Sequence, residues 1–359
     1  MIIQYLIIFI LTFGLSLIST GLIIKFACWA KILDYPDISR KIHLKKTPLL
    51  GGLGIFISFF SVLFFTSEKL LSGNLNSYHW IGFFLGACFL MIGGFWDDKY
   101  RLKPSRQIIF PLLAIICVIA GGVGIIKITN PWGGFIYFDS WKLSLFELGG
   151  EVFHLVFWSD LFTLLWLLAM MYTTKLLDGL DGLVTGVSAI GGLIIFLFTM
   201  TTKYYQPDIG WAALVFTAAC LGFLIFNWHP AKIFLGEGGS LLLGYILGVL
   251  AIISGGKIAI ALLVLGLPLL DLAWTVLRRV LEGRNPLKVA DKKHLHHRLL
   301  DLGIGQRKTV LIFYFFSLVF GGLALFLQSS GKFIAVLVLI IIMVGLVSWF
   351  NFKSKTKYT

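Results

Sequence analysis

Long apolar runs alternate with short polar stretches along almost the whole chain. A membrane-spanning helix needs about 20 mostly apolar residues. Eleven runs approach this length, at about 3–27, 50–67, 79–96, 106–126, 158–177, 183–201, 210–227, 238–254, 257–277, 309–328 and 332–351. The first run is too long for a cleavable signal peptide and lacks a basic start, so we interpret it as a span. The pattern predicts an all-α integral membrane protein with about 11 transmembrane helices, in a single polytopic domain over residues 1–359.

The distribution of Lys and Arg predicts the orientation, because these residues collect in cytoplasmic loops. With the N-terminus outside, the C-terminus is cytoplasmic, and so are five loops at about 28–49, 97–105, 175–182, 228–237 and 278–308. This orientation places 24 of the 30 Lys and Arg residues and 11 of the 17 acids inside, so the entire net charge of +13 lies on that face. The loop at about 127–157 is then extracytoplasmic, and its alternating aromatic residues predict a small hairpin or an interfacial element.

The composition excludes a soluble protein. Hydrophobic residues make up 58% of the chain and charged residues 13%, whereas about 25% of the residues of a soluble domain are charged. None of the four cysteines stands in a CxxC pair and three lie inside apolar runs, which favours small buried side chains over a disulfide or a zinc site.

Two pairs of acids lie where apolar runs meet the predicted cytoplasmic loops, and a charge so close to lipid needs a partner. Asp97 and Asp98 are adjacent, and because like charges repel, at least one is expected to hold a cation or a proton. Asp178 and Asp181 are three residues apart, a spacing that places them on one face if the segment is helical. The structural alternatives are an ordinary charged helix end for the first pair and an N-cap with a turn for the second.

A glycine-rich turn follows Asn227 and leads into the next apolar run at Ser240. The N–H groups at the start of such a helix suit an anion such as phosphate, and Glu237 in this turn could hold a metal that bridges to phosphate. Close packing of membrane helices is the alternative reason for the glycines. Asp271 precedes Arg278 by seven residues, and an ion pair between them is its structural interpretation.

Basic residues are dense in two of the loops. One group comprises His294, His296, His297 and Arg298 and another contains Lys45 and Lys46. Such donors suit phosphates, although a solvated basic loop or non-specific attraction to anionic lipid would need them too. Cations that flank the histidines disfavour a closed zinc site. Carboxylates, glycine-rich turns and basic loops on one face together indicate Mg²⁺-dependent phosphoryl transfer.

Six motifs occur in the order Lys-x-His-x₄-Pro-Leu-x-Gly-Gly, Asp-Asp-Lys, Asp-Gly-x-Asp-Gly-Leu, Asn-x₄-Lys-x-Phe, Gly-x-x-Gly-Ser and Asp-Lys-x-His-x-His-His. This set resembles the polyprenyl-phosphate N-acetylhexosamine-1-phosphate transferases. That superfamily includes the enzymes that start enterobacterial antigen, O-antigen and wall teichoic acid, and the phospho-N-acetylmuramoyl-pentapeptide transferases. The resemblance extends from Arg40 to about Leu311, and the histidine-rich loop is more similar to the teichoic-acid and O-antigen initiators.

The resemblance implies transfer of N-acetylhexosamine 1-phosphate, with N-acetylglucosamine as the expected sugar, from a UDP-sugar to undecaprenyl phosphate. UMP is released, and the product starts a cell-envelope glycan. The implied cofactor is Mg²⁺, with Mn²⁺ as a substitute, and the implied location is the bacterial cytoplasmic (inner) membrane, as a multi-pass protein. No nucleic-acid partner is expected, and a homodimer is left open.

The resemblance also assigns roles to individual residues. The catalytic residues are Asp97, Asp98, Asp178 and His296, and the metal ligands are Glu237 and Asp98. The substrate-binding residues are Lys45, Lys46, Lys175, Asp181, Asn227, Phe234, His294, His297 and Arg298. In this assignment one of the adjacent aspartates keeps the attacking phosphate ionised, Asp181 and Phe234 hold uracil, and His296 contacts the diphosphate.

Two positions depart from the family pattern. Lys175 stands where the family usually has Asn, and Glu237 stands where it usually has Asp. Lys175 could replace a hydrogen bond to the diphosphate or pair with a neighbouring Asp. The departures leave the sugar and the metal geometry open, and an impaired paralogue is one alternative. The others are a muramoyl-pentapeptide transferase and, from another class, a lipid or ion-coupled transporter. Transporters place ionisable groups near the bilayer midplane, often between repeats, and neither feature is visible in this sequence.

Overall fold

The computed structural model describes residues 2–35, 46–73, 75–148, 151–201, 204–255, 258–283 and 294–356. This part of the chain is mostly helical, as predicted. Its helices are α1 (Ile2–Trp29), α2 (Gly51–Phe65), α3 (Ser67–Leu70), α4 (Ser77–Tyr100), α5 (Pro104–Gln107), α6 (Ile109–Ala120), α7 (Phe157–Leu177), α8 (Leu183–Thr199), α9 (Pro207–Asn227), α10 (Gly236–Ile253), α11 (Ile258–Val264), α12 (Gly266–Leu281), α13 (Leu295–Asp301), α14 (Gln306–Phe326) and α15 (Ser329–Thr356).

Within the described ranges, seven helices are long and apolar enough to cross a membrane: α1, α4, α7, α9, α10, α14 and α15. Helices α11 and α12 satisfy the same test only together, and they are bent by 84° at the break between them. Shorter apolar helices cover 51–65, 104–120 and 183–199. Each of the eleven predicted apolar runs therefore coincides with one of these helices or with the bent pair. The number of spans and their orientation stay predictions.

Helix α10 forms the centre of the molecule. It packs against α2, α4, α7, α8 and α11, and nearly all its side chains are buried. Helices α1 and α15 are peripheral and expose large apolar side chains such as Ile10, Leu11 and Ile341. Exposed apolar faces of this kind are expected where the solvent is lipid. The core therefore lies around α10, and the outer helices carry the surface that a membrane would cover.

Within the part of the chain that the structure describes, three two-stranded antiparallel sheets join the helices. Strands β3 (Lys127–Thr129) and β4 (Phe135–Tyr137) pair, and so do β5 (Lys142–Leu148) and β6 (Glu151–Val156). These two hairpins confirm the expected hairpin in the loop at about 127–157.

The remaining sheet pairs β1 (Leu33–Asp34) with β2 (Thr47–Pro48) and closes the connection from α1 to α2. The Phe234 N–H donates to the Pro48 carbonyl over 2.9 Å, and the Gly51 N–H donates to the Phe234 carbonyl over 2.9 Å. The first N–H groups of α2, which have no partner within a helix, therefore bond to the connection between α9 and α10.

Glycines bring the start of α10 into backbone contact with two other helices. A Cβ atom at Gly94 of α4 would overlap the Cα atom of Gly238, and one at Gly52 of α2 would overlap the Cα atom of Gly239. Small residues permit this close approach between membrane helices. The glycine-rich turn, for which phosphate binding and close packing were both open, thus has a packing role, and that role places the end of α4 beside the start of α10.

We expect Gly94→Ala to lower the thermal stability of the detergent-solubilised protein, because the added methyl group forces α4 away from α10. Overpacking of this kind costs about 1–3 kcal/mol. Gly14→Ala is the matched control, because a Cβ at Gly14 on α1 meets no atom within 4 Å. The melting temperature of each variant is measured by heating samples and determining, by size-exclusion chromatography, the fraction that stays folded. Equal melting temperatures would contradict the packing role of Gly94.

Candidate active site

A cavity of about 1140 Å³ opens where the ends of α4, α7 and α9 meet the start of α10. Its lining residues all come from, or directly adjoin, the five loops predicted to be cytoplasmic. Eight of the predicted site residues line it: Asp97, Asp98, Asp178, Asp181, Asn227, Phe234, Glu237 and His297. The fold therefore gathers at one place residues that are up to 200 positions apart in the chain.

Asp98 connects α4 to α10. Its Oδ1 accepts a hydrogen bond from the Glu237 N–H over 3.0 Å, so the carboxylate satisfies one of the donors at the start of α10, where negative charge is favoured. Gly236 precedes this bond with a φ of 75°, in the left-handed region that favours glycine. A Cβ at Gly236 would also collide with Asp98 Oδ2. The glycine is thus required both by the turn and by the approach of the carboxylate.

Asp97 is held by groups at its own end of α4. Its Oδ1 accepts hydrogen bonds from the Leu102 N–H over 2.8 Å and from Gln107 Nε2 over 2.9 Å. Gln107 Nε2 also donates to the Leu102 carbonyl over 3.1 Å. The two adjacent aspartates therefore differ, because Asp97 stabilises the turn into α5 while Asp98 faces α10. Gln107 is a site residue that the sequence did not reveal, because it is ten positions from its partner.

Lys175 and Glu237, the two positions that depart from the family pattern, form an ion pair with each other. Lys175 lies in the last turn of α7 and Glu237 in the first turn of α10. Lys175 Nζ also donates to Gln107 Oε1 over 3.3 Å. The sequence suggested a neighbouring Asp or a diphosphate as the partner of Lys175, and the structure gives it a glutamate that is 62 positions away.

Asp178 follows α7 and lines the cavity. The residue is exposed at the cavity, although many protein atoms surround its carboxyl group. This loss of bulk water, followed by the charges of Glu237 and Asp181, raises the pKa of Asp178 to about 7. The carboxyl group can therefore exist in both protonation states near neutral pH.

Asn227 and Asp181 tie two of the cavity loops together. Asn227 Oδ1 accepts from the Gly182 N–H over 3.1 Å, and its Nδ2 donates to the Ile233 carbonyl over 2.9 Å. Asp181 Oδ2 lies 2.7 Å from His229 Nδ1 and accepts from the Ala231 N–H over 3.1 Å. Both side chains line the cavity, so their predicted substrate contacts would add to these structural bonds.

His229 and its partner Arg307 are two further residues at the site that the sequence did not reveal. The guanidinium group of Arg307 donates twice to the His229 carbonyl, from Nη2 over 2.9 Å and from Nε over 3.1 Å. This links α14 to the connection between α9 and α10. The sequence around His229, a single His before a Pro, contains no motif that indicates contacts with Asp181 and Arg307.

The three histidines near α13 occupy different environments. His294 Nδ1 lies 2.9 Å from Asp271 Oδ2, and Asp271 Oδ1 accepts from the Leu295 N–H over 3.2 Å, so Asp271 joins α12 to the start of α13. His296 is buried, and a Cβ at Gly179 would lie 2.6 Å from its Nε2. His297 lines the cavity. An ion pair of Asp271 with Arg278 stays a prediction, and the structure shows His294 and Leu295 as partners of Asp271.

The remaining predicted substrate-binding residues are basic. Lys46 is exposed, with Nζ 5.0 Å from the centre of the Tyr35 ring, and Arg298 lies on α13. Lys45 lies outside the described residues.

The donor set fits a divalent cation that also binds phosphate. The charges of Asp98, Asp178 and Glu237 interact with one another at the cavity. No group of three His, Cys, Asp or Glu side chains in the described ranges is arranged around a single metal position. Mg²⁺ commonly takes only one or two carboxylates and completes its shell with phosphate oxygens and water. Asp98 and Glu237 would meet that need, and the open cavity leaves room for the other ligands.

The family model for glycosyl transferase family 4 matches residues 80–255. A Bacillus subtilis protein described as a probable undecaprenyl-phosphate N-acetylglucosaminyl 1-phosphate transferase is 31% identical over 98% of this chain and 94% of its own length. The undecaprenyl-phosphate alpha-N-acetylglucosaminyl 1-phosphate transferase of Thermotoga maritima is 30% identical over 87% of each chain. The phospho-N-acetylmuramoyl-pentapeptide-transferase of Borreliella afzelii is 31% identical over 79% of this chain and 83% of its own.

We expect His296 to contribute to the pH dependence of thermal stability between pH 7 and pH 5, in the direction opposite to the raised pKa of Asp178. Burial, followed by the neighbouring His297 and His294, lowers the pKa of His296 from 6.5 to about 3. Between these values the unfolded chain binds a proton at His296 that the folded chain does not, so the contribution of His296 to stability decreases as the pH falls. His296→Asn lacks this titration, so its melting temperature at pH 5, relative to its own value at pH 7, should be higher than the same difference in the unchanged protein. An equal change in both proteins would contradict a neutral, buried His296.

Proposed function

Because this chain belongs to glycosyl transferase family 4, we propose that it transfers N-acetylglucosamine 1-phosphate from UDP-N-acetylglucosamine to undecaprenyl phosphate and releases UMP. The observation that carries the proposal is the cavity in which Asp98, Asp178 and Glu237 meet at the start of α10. Relatives named for this reaction align along nearly the whole chain. We place the reaction at the cytoplasmic face, because the cavity loops carry most of the Lys and Arg residues.

The proposed reaction is a displacement at phosphorus. An oxygen of the lipid phosphate forms a bond to the β-phosphorus of the UDP-sugar, and the bond from that phosphorus to the bridging oxygen breaks, so UMP leaves with the electron pair. The protein's task is to orient two anionic substrates and to offset their charge. A Mg²⁺ ion, or Mn²⁺ in its place, would supply positive charge at the diphosphate when bound, and Asp98 and Glu237 would hold it.

The lining of the cavity suits the two substrates. The start of α10 presents the positive end of a helix dipole, which favours phosphate. The ring of Phe234 and the carboxylate of Asp181 line the same cavity, and we propose that they hold the uracil base. His297 also lines the cavity, and together with the buried His296 it is proposed to contact the diphosphate. Lipid phosphate would enter from the membrane side, where Asp97 and Asp98 end α4.

We expect the purified protein in detergent to release UMP from UDP-N-acetylglucosamine when undecaprenyl phosphate and Mg²⁺ are present, and chelation by EDTA should stop the release. A coupled assay for UMP measures this reaction. Because a phospho-N-acetylmuramoyl-pentapeptide-transferase is also 31% identical to this chain, over 79% of its length, UDP-N-acetylmuramoyl-pentapeptide is tested as a competitor. Preferential use of that competitor would replace the proposed sugar, and no turnover with any UDP-N-acetylhexosamine would refute the function.

We expect Asp98→Asn and Glu237→Gln each to reduce turnover by about 100-fold or more, since each removes a negative charge placed to hold the divalent cation. Glu68→Gln is the matched control, because Glu68 is exposed on α3 and does not line the cavity. Initial rates at saturating Mg²⁺ measure the effect. Rates close to that of the unchanged protein in either active-site variant would remove that residue from the proposed metal site.

A further inference from the structure

The ion pair between Lys175 and Glu237 occupies the position where the proposed function needs a metal. Both side chains are largely buried, with 24% of Lys175 and 19% of Glu237 exposed, and the ammonium group contacts Glu237 Oε1. Glu237 lines the cavity. A carboxylate oxygen in contact with an ammonium group is not free for a divalent cation, because the two cations would repel each other at that distance.

Gln107 holds the lysine in this position. Its Oε1 accepts from Lys175 Nζ over 3.3 Å, while its Nε2 donates to Asp97 Oδ1 over 2.9 Å. A continuous chain of polar contacts therefore runs from Asp97 through Gln107 and Lys175 to Glu237. Lys175 Nζ also lies 5.5 Å from the centre of the Tyr172 ring. The lysine is thus positioned by several groups, and its contact with Glu237 is part of a built arrangement.

We propose that Lys175 is an internal counter-cation, which occupies Glu237 in the substrate-free protein and moves to the diphosphate when the nucleotide substrate binds. A lysine ammonium on a flexible four-carbon stem can exchange between two anions in this way. Divalent cations then bind weakly to the free protein and more tightly once a diphosphate is present. By reciprocity, the cation strengthens nucleotide binding by the same factor. The inference depends on the proposed function only for the choice of a uridine diphosphate as the ligand.

The test measures Mn²⁺ binding by electron paramagnetic resonance to the purified full-length protein in detergent, without turnover. In the unchanged protein, UDP should increase the affinity for Mn²⁺, and UMP should do so much less. Lys175→Met should bind Mn²⁺ at least about fivefold more tightly without nucleotide, and the gain from UDP should shrink accordingly. An unchanged affinity for Mn²⁺ in a folded Lys175→Met protein would overturn the proposal.

Three further variants make the result specific to the ion pair. Lys99→Met removes a lysine that lines the same cavity but lies over the Phe95 and Tyr100 rings, and it should change Mn²⁺ affinity less than about twofold. Lys175→Arg keeps the charge and should keep the weak binding. Gln107→Leu leaves the lysine in place but removes its support, so its Mn²⁺ affinity should lie between those of the unchanged protein and Lys175→Met. An equal gain in Lys99→Met would overturn the proposal, because a general charge effect would then explain it.

The two proposals fail in different ways. If the protein turns over no UDP-N-acetylhexosamine but Lys175→Met still strengthens Mn²⁺ binding, only the function is refuted. If the unchanged protein is active and Lys175→Met leaves Mn²⁺ binding unaltered, only the counter-cation is refuted. Should Lys175→Met fail to fold, Gln107→Leu decides the question, since an unaltered Mn²⁺ affinity in that variant contradicts a lysine held on Glu237.

Discussion

The structure depends on backbone contact between the start of α10 and two neighbouring helices. Gly238 meets Gly94 of α4, and Gly239 meets Gly52 of α2, with no side chain between the helices. This spacing brings Asp98 close enough to accept the Glu237 N–H. The acidic end of α4 and the electropositive start of α10 therefore face the same cavity because the glycines let these two helices pack closely. The candidate site is in this sense a product of how closely the helices approach.

Much of this arrangement could be predicted from the sequence, because crossing a membrane demands long apolar helices and leaves the chemistry to the loops. The helices coincide with the apolar runs, and most predicted site residues line one cavity. Pro268 in the run at about 257–277 favours a kink, because proline interrupts a helix, and α11 and α12 are bent by 84° close to it. The sequence could not reveal contacts such as Lys175 with Glu237 or Asp271 with His294, because pairing between distant loops leaves no periodic pattern.

The acids at the loop boundaries have distinct physical roles, although they look alike in the sequence. Asp97 satisfies the Leu102 N–H between α4 and α5, and Asp271 satisfies the Leu295 N–H at the start of α13, where a carboxylate replaces a missing intrahelical partner. Asp98 does the same for α10 and also faces the cavity. Asp98, Asp178 and Glu237 have one another's carboxylates as neighbours, so this cluster is where a cation is most needed. The number of acids in a motif therefore overstates the number available to a ligand.

The sheet of β1 and β2 has a consequence for how the sequence of this protein can change in evolution. The sheet and its bonds to Phe234 use main-chain N–H and carbonyl groups, at Pro48 and Gly51 among others. Main-chain bonds persist when side chains are exchanged, so this rim of the cavity keeps its shape while its side chains vary. Asp34, Tyr35 and Leu49 line the cavity on this rim. Under the proposed function, these are positions at which substrate preference can change while Asp98, Asp178 and Glu237 stay in place.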